Sequence, residues 1–185
     1  MLYHDIKIAG LDRKLPICPV TEDLYIGGFI MFGDTELTTA CATELLKKAP
    51  EFDYIITAEA KGIPLAHEMA RQNNNSYYMV VRKYPKLYMT GVFEVDVRSI
   101  TTDKDQKLYL DKKDAELLKD KRVLIIDDVI STGESLKAIE ILVEKAGGNI
   151  VGKMTVLAEG EAAERTDITF IEKLPLFNKD GSIKK

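Results

Sequence analysis

The chain has 185 residues, 45% of them apolar and 30% charged, a balance that fits one folded domain and excludes a disordered polypeptide. Its 26 basic and 30 acidic side chains leave a net charge of −4, the wrong sign for a general nucleic-acid binder. No apolar run approaches the roughly 18–20 residues that span a bilayer, and residues 1–10 carry Asp5 and no apolar signal core. Cys18 and Cys41 lack motif spacing, so a cytoplasmic protein with reduced thiols is expected. His4 and His67 are the two imidazoles, too few for a zinc site, and His67 reads as structural on an amphipathic helix.

Residues 1–33 read as irregular with short strands, because Pro16 and Pro19 break a helix and Gly27-Gly28 signals a turn or bulge. Asp34 is the expected N-cap of a helix in which Leu37, Ala40, Cys41, Leu45 and Leu46 recur at helical spacing up to Pro50. Tyr54–Ala58 is a short, nearly all-apolar strand. A helix bearing Ile63, Leu65, Ala66, Met69 and Ala70 follows and ends at Asn73-Asn74-Asn75. Residues 77–81 form a second strand, and 82–110 lack helical periodicity and read as a mobile, partly β excursion. Residues 115–118 suit a short helix, and Val123-Leu124-Ile125-Ile126 a third buried strand. Residues 134–146 are a helix with Leu136, Ile139, Leu142, Val143 and Ala146 on one face, stopped by Gly147-Gly148, and 150–157 a fourth strand. Strands separated by helices predict an α/β fold, a parallel sheet with helices on both faces, with ligands beyond the strands' carboxyl ends.

The strongest chemical signal lies there. The third strand delivers Asp127 and Asp128 to the sheet edge, and Val129 and Ile130 lead into Ser131-Thr132-Gly133-Glu134-Ser135, which opens a helix. The turn's free N–H groups and the helix dipole suit a phosphate. Ser131, Thr132 and Ser135 add hydroxyls, and Gly133 permits close backbone approach. Two carboxylates beside such a seat suit vicinal hydroxyls, as on ribose; the bland alternative is a capped helix with solvated acids. No Gly-Lys-Ser/Thr follows, so this is not a Walker A loop. Two further segments are ordinary taken alone. Ala58-Glu59-Ala60-Lys61-Gly62 is a strand-to-helix turn, and Val81-Arg82-Lys83-Tyr84-Pro85-Lys86-Leu87 is a run of three cations.

Together these segments resemble the type I phosphoribosyltransferases over roughly residues 25–160. The resemblance implies that Asp127 and Asp128 hold the ribose hydroxyls of phosphoribosyl pyrophosphate and that residues 131–135 wrap its 5′-phosphate. Glu59, Ala60, Lys61 and Gly62 would form the pyrophosphate loop, with a cis peptide bond at Glu59-Ala60 or Ala60-Lys61. Lys61 replaces the usual arginine, keeping the charge without the bidentate geometry. Arg82, Lys83 and Lys86 would meet the pyrophosphate, in part across a homodimer interface. Mg²⁺ would arrive with the donor, with no direct protein ligand, and no nucleic-acid or membrane partner is implied. The implied organisation is a single domain over 1–185: a hood and first helix over 1–50, a core over 51–160, and a C-terminal strand and tail over 161–185.

The same resemblance frames the acceptor base. Gly28-Phe29-Ile30-Met31-Phe32-Gly33-Asp34 is similar to the base-pocket segment of adenine enzymes, with Gly33 where arginine is usual. It implies base contacts from the Met31 backbone, the Phe32 ring and Gly33. Glu159 stands where a purine N–H acceptor is expected, although with Glu161 and Glu164 it reads equally as a solvated acidic loop. The run Val97-Arg98-Ser99-Ile100-Thr101-Thr102 lacks the hood glutamate of adenine enzymes and is closer to that of xanthine enzymes. Adenine is the favoured base, with xanthine, guanine or hypoxanthine as the alternative. Two other readings are a regulator that senses the same donor without catalysis and an enzyme for a pyrimidine.

Overall fold

The computed structural model describes residues 1–98 and 105–184. It opens with an antiparallel sheet of β1 (Tyr3–Ile8), β2 (Leu11–Pro19) and β3 (Tyr25–Gly27), in the order β1-β2-β3. The N-terminal region is therefore more regular than its sequence suggests. Along β1 the exposed residues Tyr3, Asp5 and Lys7 alternate with His4, Ile6 and Ile8, the period-two pattern of a one-sided strand. The prolines that exclude a helix are tolerated in β2. Pro16 lacks a donor, but its carbonyl accepts the Gly28 N–H at 2.7 Å, and Pro19 is the last residue of the strand. Helix α1 (Thr35–Leu46) follows, and Asp34 caps it as expected, its Oδ1 accepting the Leu37 N–H at 3.0 Å.

The remaining elements are β4 (Tyr54–Ala58), α2 (Ile63–Gln72), β5 (Tyr78–Val81), β6 (Val92–Arg98), β7 (Asp105–Asp111), α3 (Lys112–Leu118), β8 (Arg122–Ile130), α4 (Glu134–Lys145), β9 (Asn149–Glu159), a 3₁₀ turn at Gly160–Glu164, and β10 (Thr169–Leu174). Five strands pair in parallel in the order β10-β9-β8-β4-β5, the expected α/β core. Alternate residues of each central strand serve two separate cores. Ile56, Val123 and Ile125 join Leu136, Ile139, Leu142 and Val143 of α4 on one face. Ile55, Leu124 and Ile126 join Leu37, Cys41, Leu65 and Met69 of α1 and α2 on the other. The 82–110 excursion is a β6–β7 ribbon. Arg82 and Tyr109 exchange backbone hydrogen bonds of 2.8 Å, and Val95 and Leu110 are fully buried. Residues 99–104, which hold most of the hood run read from the sequence, lie outside the described residues. Among the described residues no helix is long and apolar enough to cross a membrane.

One departure from the sequence reading shapes the site. Strand β8 does not stop at Ile126 but continues through both aspartates to Ile130, paired with β9 on one side. On its other side β4 pairs with it only from Tyr54↔Val123 to Ile56↔Ile125, and β4 then stays with β5 as far as Ala58↔Val81. The sheet thus opens between β4 and β8 just before Asp127, leaving a crevice at the carboxyl ends of the strands.

Candidate active site

Asp127 and Asp128 stand at this opening. Asp127 Oδ1 accepts the Asp128 N–H at 2.9 Å, and Asp128 is only 4% exposed. The Lys61 ammonium lies 2.9 Å from Asp128 Oδ2, yet the approach is misaligned, and among the described residues this buried oxygen accepts no hydrogen bond. Burial, and then the charge of Asp128, push the Asp127 carboxyl well above the usual carboxylate range. Two adjacent acids facing one cation are under-satisfied, and a ligand bringing hydroxyl donors or positive charge would relieve them.

Beyond β8 the chain turns through exposed Ser131 and Thr132 to Gly133, whose φ of 80° lies in the left-handed region that a glycine adopts without strain. Helix α4 then begins with no side-chain bond from its N-cap residue, and the Glu134 N–H makes a long 3.5 Å bond to Thr132 Oγ1. Half-buried Glu134 and exposed Ser135 form the first turn. The positive end of the helix thus starts a few residues beyond the aspartates, at the same end of the strands.

The turn after β4 supplies the opposite wall. The Glu59–Ala60 peptide bond is cis, as the resemblance implied. Gly62 is where no side chain fits, since a methyl group there would collide with Thr57 Oγ1 and sit 3.3 Å from Asp127 Oδ1. Glu59 gathers the basic run: it accepts the Lys83 N–H at 2.7 Å and Arg82 Nη1 at 3.2 Å, with Lys86 Nζ at 3.7 Å. Burial works to raise the Glu59 carboxyl, but these partners outweigh it and hold it below its ordinary value. The structure thus brings Arg82 and Lys86 together on Glu59, engages Lys83 through its backbone while its side chain is exposed, and places Lys61 on Asp128. Glu59's part as the organiser of these cations was not legible, because its partners lie more than twenty positions away.

The proposed base contacts differ among themselves. Met31 is buried and its carbonyl accepts the Asp34 N–H at 3.1 Å; Phe32 is exposed, leaving its ring open, and Gly33 turns the chain with a φ of 83°. Asp34 is held by Arg13, which donates to both of its oxygens at 2.7 and 3.1 Å and to Glu36 at 2.8 Å. Arg13 was missed from sequence; it anchors the hood sheet to α1. Glu159, at the end of β9, is 7% exposed rather than solvated. Burial raises its carboxyl despite a hydrogen bond from Ser131 and the charge of Lys61.

Comparison with known proteins agrees with this geometry. Among curated relatives, a hypoxanthine/guanine phosphoribosyltransferase of Methanothermococcus okinawensis is 33% identical over 182 residues, spanning 91% of this chain and 95% of that protein. Xanthine phosphoribosyltransferase 1 of Clostridium perfringens is 36% identical over 109 residues, 58% of this chain and 56% of that one. Among solved structures, an adenine phosphoribosyltransferase of Thermoanaerobacter pseudethanolicus superposes with a TM-score of 0.69 at 21% identity, covering 86% of this chain and 95% of that one, a likeness of fold. Residues 37–180 match the phosphoribosyl transferase domain model, from the start of α1 to beyond β10, and the chain belongs to that family.

Proposed function

We propose that this chain transfers the phosphoribosyl group of phosphoribosyl pyrophosphate to a 6-oxopurine, giving the nucleoside monophosphate and pyrophosphate. The observation that carries the reading is the buried, under-satisfied pair Asp127 and Asp128 beside an open helix N-terminus in a chain of this family. The acids would take the ribose 2′ and 3′ hydroxyls, and residues 131–135 the 5′-phosphate. Displacement at the anomeric carbon builds positive charge on the ribose as pyrophosphate leaves. Catalysis is then positioning plus electrostatics, with Lys61, Arg82 and Lys86 facing the leaving group. Lys61 must exchange Asp128 for the ligand. Mg²⁺ would enter on the donor's oxygens, and the carboxylates of Asp127 and Asp128 offer the hard, anionic surroundings that suit it. A homodimer is part of the proposal: exposed Lys83, Tyr84, Leu87 and Tyr88 share one stretch of surface that a second copy would cover.

For the base, the full-length likeness to hypoxanthine/guanine enzymes reverses the order of preference drawn from the motifs. Glu159 supports the same choice, because a buried carboxylate accepts the N1–H of a 6-oxopurine and repels the N1 lone pair of adenine. Adenine is the second reading, favoured by the backbone of residues 31–33, which can read its amino group and N1 without a side chain. A panel of adenine, hypoxanthine, guanine and xanthine, each with phosphoribosyl pyrophosphate and Mg²⁺, tests both. The expected outcome is a kcat/KM for hypoxanthine or guanine at least about tenfold above adenine. An adenine value higher by that margin selects the second reading, and no nucleotide from any purine contradicts both.

A further inference from the structure

Arg165 follows the 3₁₀ turn after β9, and its guanidinium is divided between two neighbours. Nε and Nη2 donate to the two oxygens of Asp167 at 2.9 and 2.7 Å. Nη1 lies against Gly133, so close that a methyl group on that glycine would overlap it. Asp167, the carboxylate that holds the arginine, is itself tied further into the fold. Asp167 also receives Lys153 Nζ at 2.6 Å, Lys153 reaches Glu140 of α4 at 3.0 Å, and Glu140 receives Lys137 at 3.1 Å. The chain of charges fastens Arg165 to the same helix whose first turn opens the crevice. Arg165, and then Lys153, hold the Asp167 carboxyl well below its ordinary range, so the network stays ionised at neutral pH.

The sign of the charge at this place calls for an explanation. Three cations against two carboxylates leave the network net positive. One end of it, half-buried Arg165, sits at the N-terminus of α4, where the helix dipole is itself positive and disfavours a cation. The arrangement becomes favourable when an anion lies in the turn, facing both the amides and the guanidinium.

We infer that Arg165 is a direct donor to the 5′-phosphate of the phosphoribosyl donor, closing on it from the Gly133 side with Asp167 holding the guanidinium in place. This rests on the reading of residues 131–135 as the phosphate seat. It assigns a side-chain cation to a subsite otherwise made of backbone amides and hydroxyls. It also makes recognition of a 5-phosphorylated ribose dependent on a residue 32 positions away.

Calorimetric titration of ribose 5-phosphate and, separately, of pyrophosphate, each with Mg²⁺, tests this on the wild type, Arg165→Gln and Arg165→Lys. Arg165→Gln is expected to lose about ten- to hundredfold in affinity for ribose 5-phosphate, the scale of one charge-assisted bond. Its affinity for pyrophosphate, which marks the other end of the site, should stay within about twofold, the noise of a site not directly touched. Arg165→Lys should recover part of the loss, and in turnover Arg165→Gln should raise KM for phosphoribosyl pyrophosphate while kcat is retained. Unchanged ribose 5-phosphate binding in Arg165→Gln overturns the inference alone. An equal loss for both ligands overturns it too, because that is the mark of a collapsed turn. If Arg165→Gln does not fold, Arg165→Lys decides by the same ratio of the two affinities. A wild type that binds neither ligand contradicts the functional reading itself, and the inference with it.

Discussion

The crevice at the strand ends and the junction of the N-terminal sheet with α1 treat their charges in opposite ways. At that junction, Arg13 satisfies both oxygens of Asp34 and one of Glu36, and Asp34 also caps α1; these three charges are matched within the fold. In the crevice, Asp128 keeps an oxygen without a hydrogen bond, Asp127 is driven upward by burial and by its neighbour, and α4 opens without a side-chain cap. Charges matched at home stabilise, whereas charges left under-matched in a buried place cost stability and mark where a ligand completes the structure.

The comparison breaks most visibly in turnover. Replacing both crevice acids, Asp127→Asn with Asp128→Asn, removes two charged acceptors for ribose hydroxyls. Activity should fall by about 10²–10⁴-fold, from about 1.5–3 kcal/mol per bond to a charged group. The circular dichroism spectrum and the cooperative melt should be retained. Wild-type-like turnover in that variant would place the ribose elsewhere.

In the N-terminal sheet the expected effect is on stability. Arg13 and Asp34 are 24% and 30% exposed, so after screening their paired hydrogen bonds contribute about 1–2 kcal/mol. Arg13→Ala should then lower Tm by about 2–8 °C at neutral pH. The sign with pH follows from Asp34, whose carboxyl is held below its ordinary value chiefly by the Arg13 hydrogen bonds. Its stabilisation is present above the unfolded pKa and is lost as pH falls through the lower, folded value. The difference in Tm between wild type and Arg13→Ala should therefore shrink in acid. A difference that grows on acidification contradicts the assignment of Asp34 as the partner that matters.

The two regions were unequally legible in the sequence for physical reasons. The βα pattern from Tyr54 to Leu157 could be read because buried parallel strands are short continuous apolar runs and α2 and α4 keep a helical period. The crevice was legible where its residues are contiguous, from Asp127 to Ser135, since one strand, one turn and one helix carry them all. β1 and β2 were obscured by their half-exposed faces, rich in Lys and Asp, and by Pro16, whose carbonyl still bonds although its nitrogen cannot. Contacts made across the fold left no local pattern: Arg13 is 21 positions from Asp34, and Arg165 meets Gly133 only because β9 runs beside β8. The extension of β8 through Ile130 was hidden because charged residues ordinarily end a buried strand, and here the paired β9 carries it past them.

The central claim is that Asp127 is kept costly in the empty protein so that the ligand can match it, and the melting temperature of Asp127→Asn tests this most directly. A carboxyl whose folded pKa is raised incurs no penalty below its unfolded value; the penalty grows as pH rises from the unfolded towards the folded value and is complete above it. At neutral pH the unliganded Asp127→Asn protein should therefore melt above the wild type, by about 2–4 °C for each kcal/mol relieved. The gain should vanish below about pH 4, where the carboxyl is protonated in both states. Phosphoribosyl pyrophosphate with Mg²⁺ should then raise the melt of the wild type and shift that of the variant far less. A variant that melts at or below the wild type at neutral pH, and gains as much from the ligand, would contradict the account.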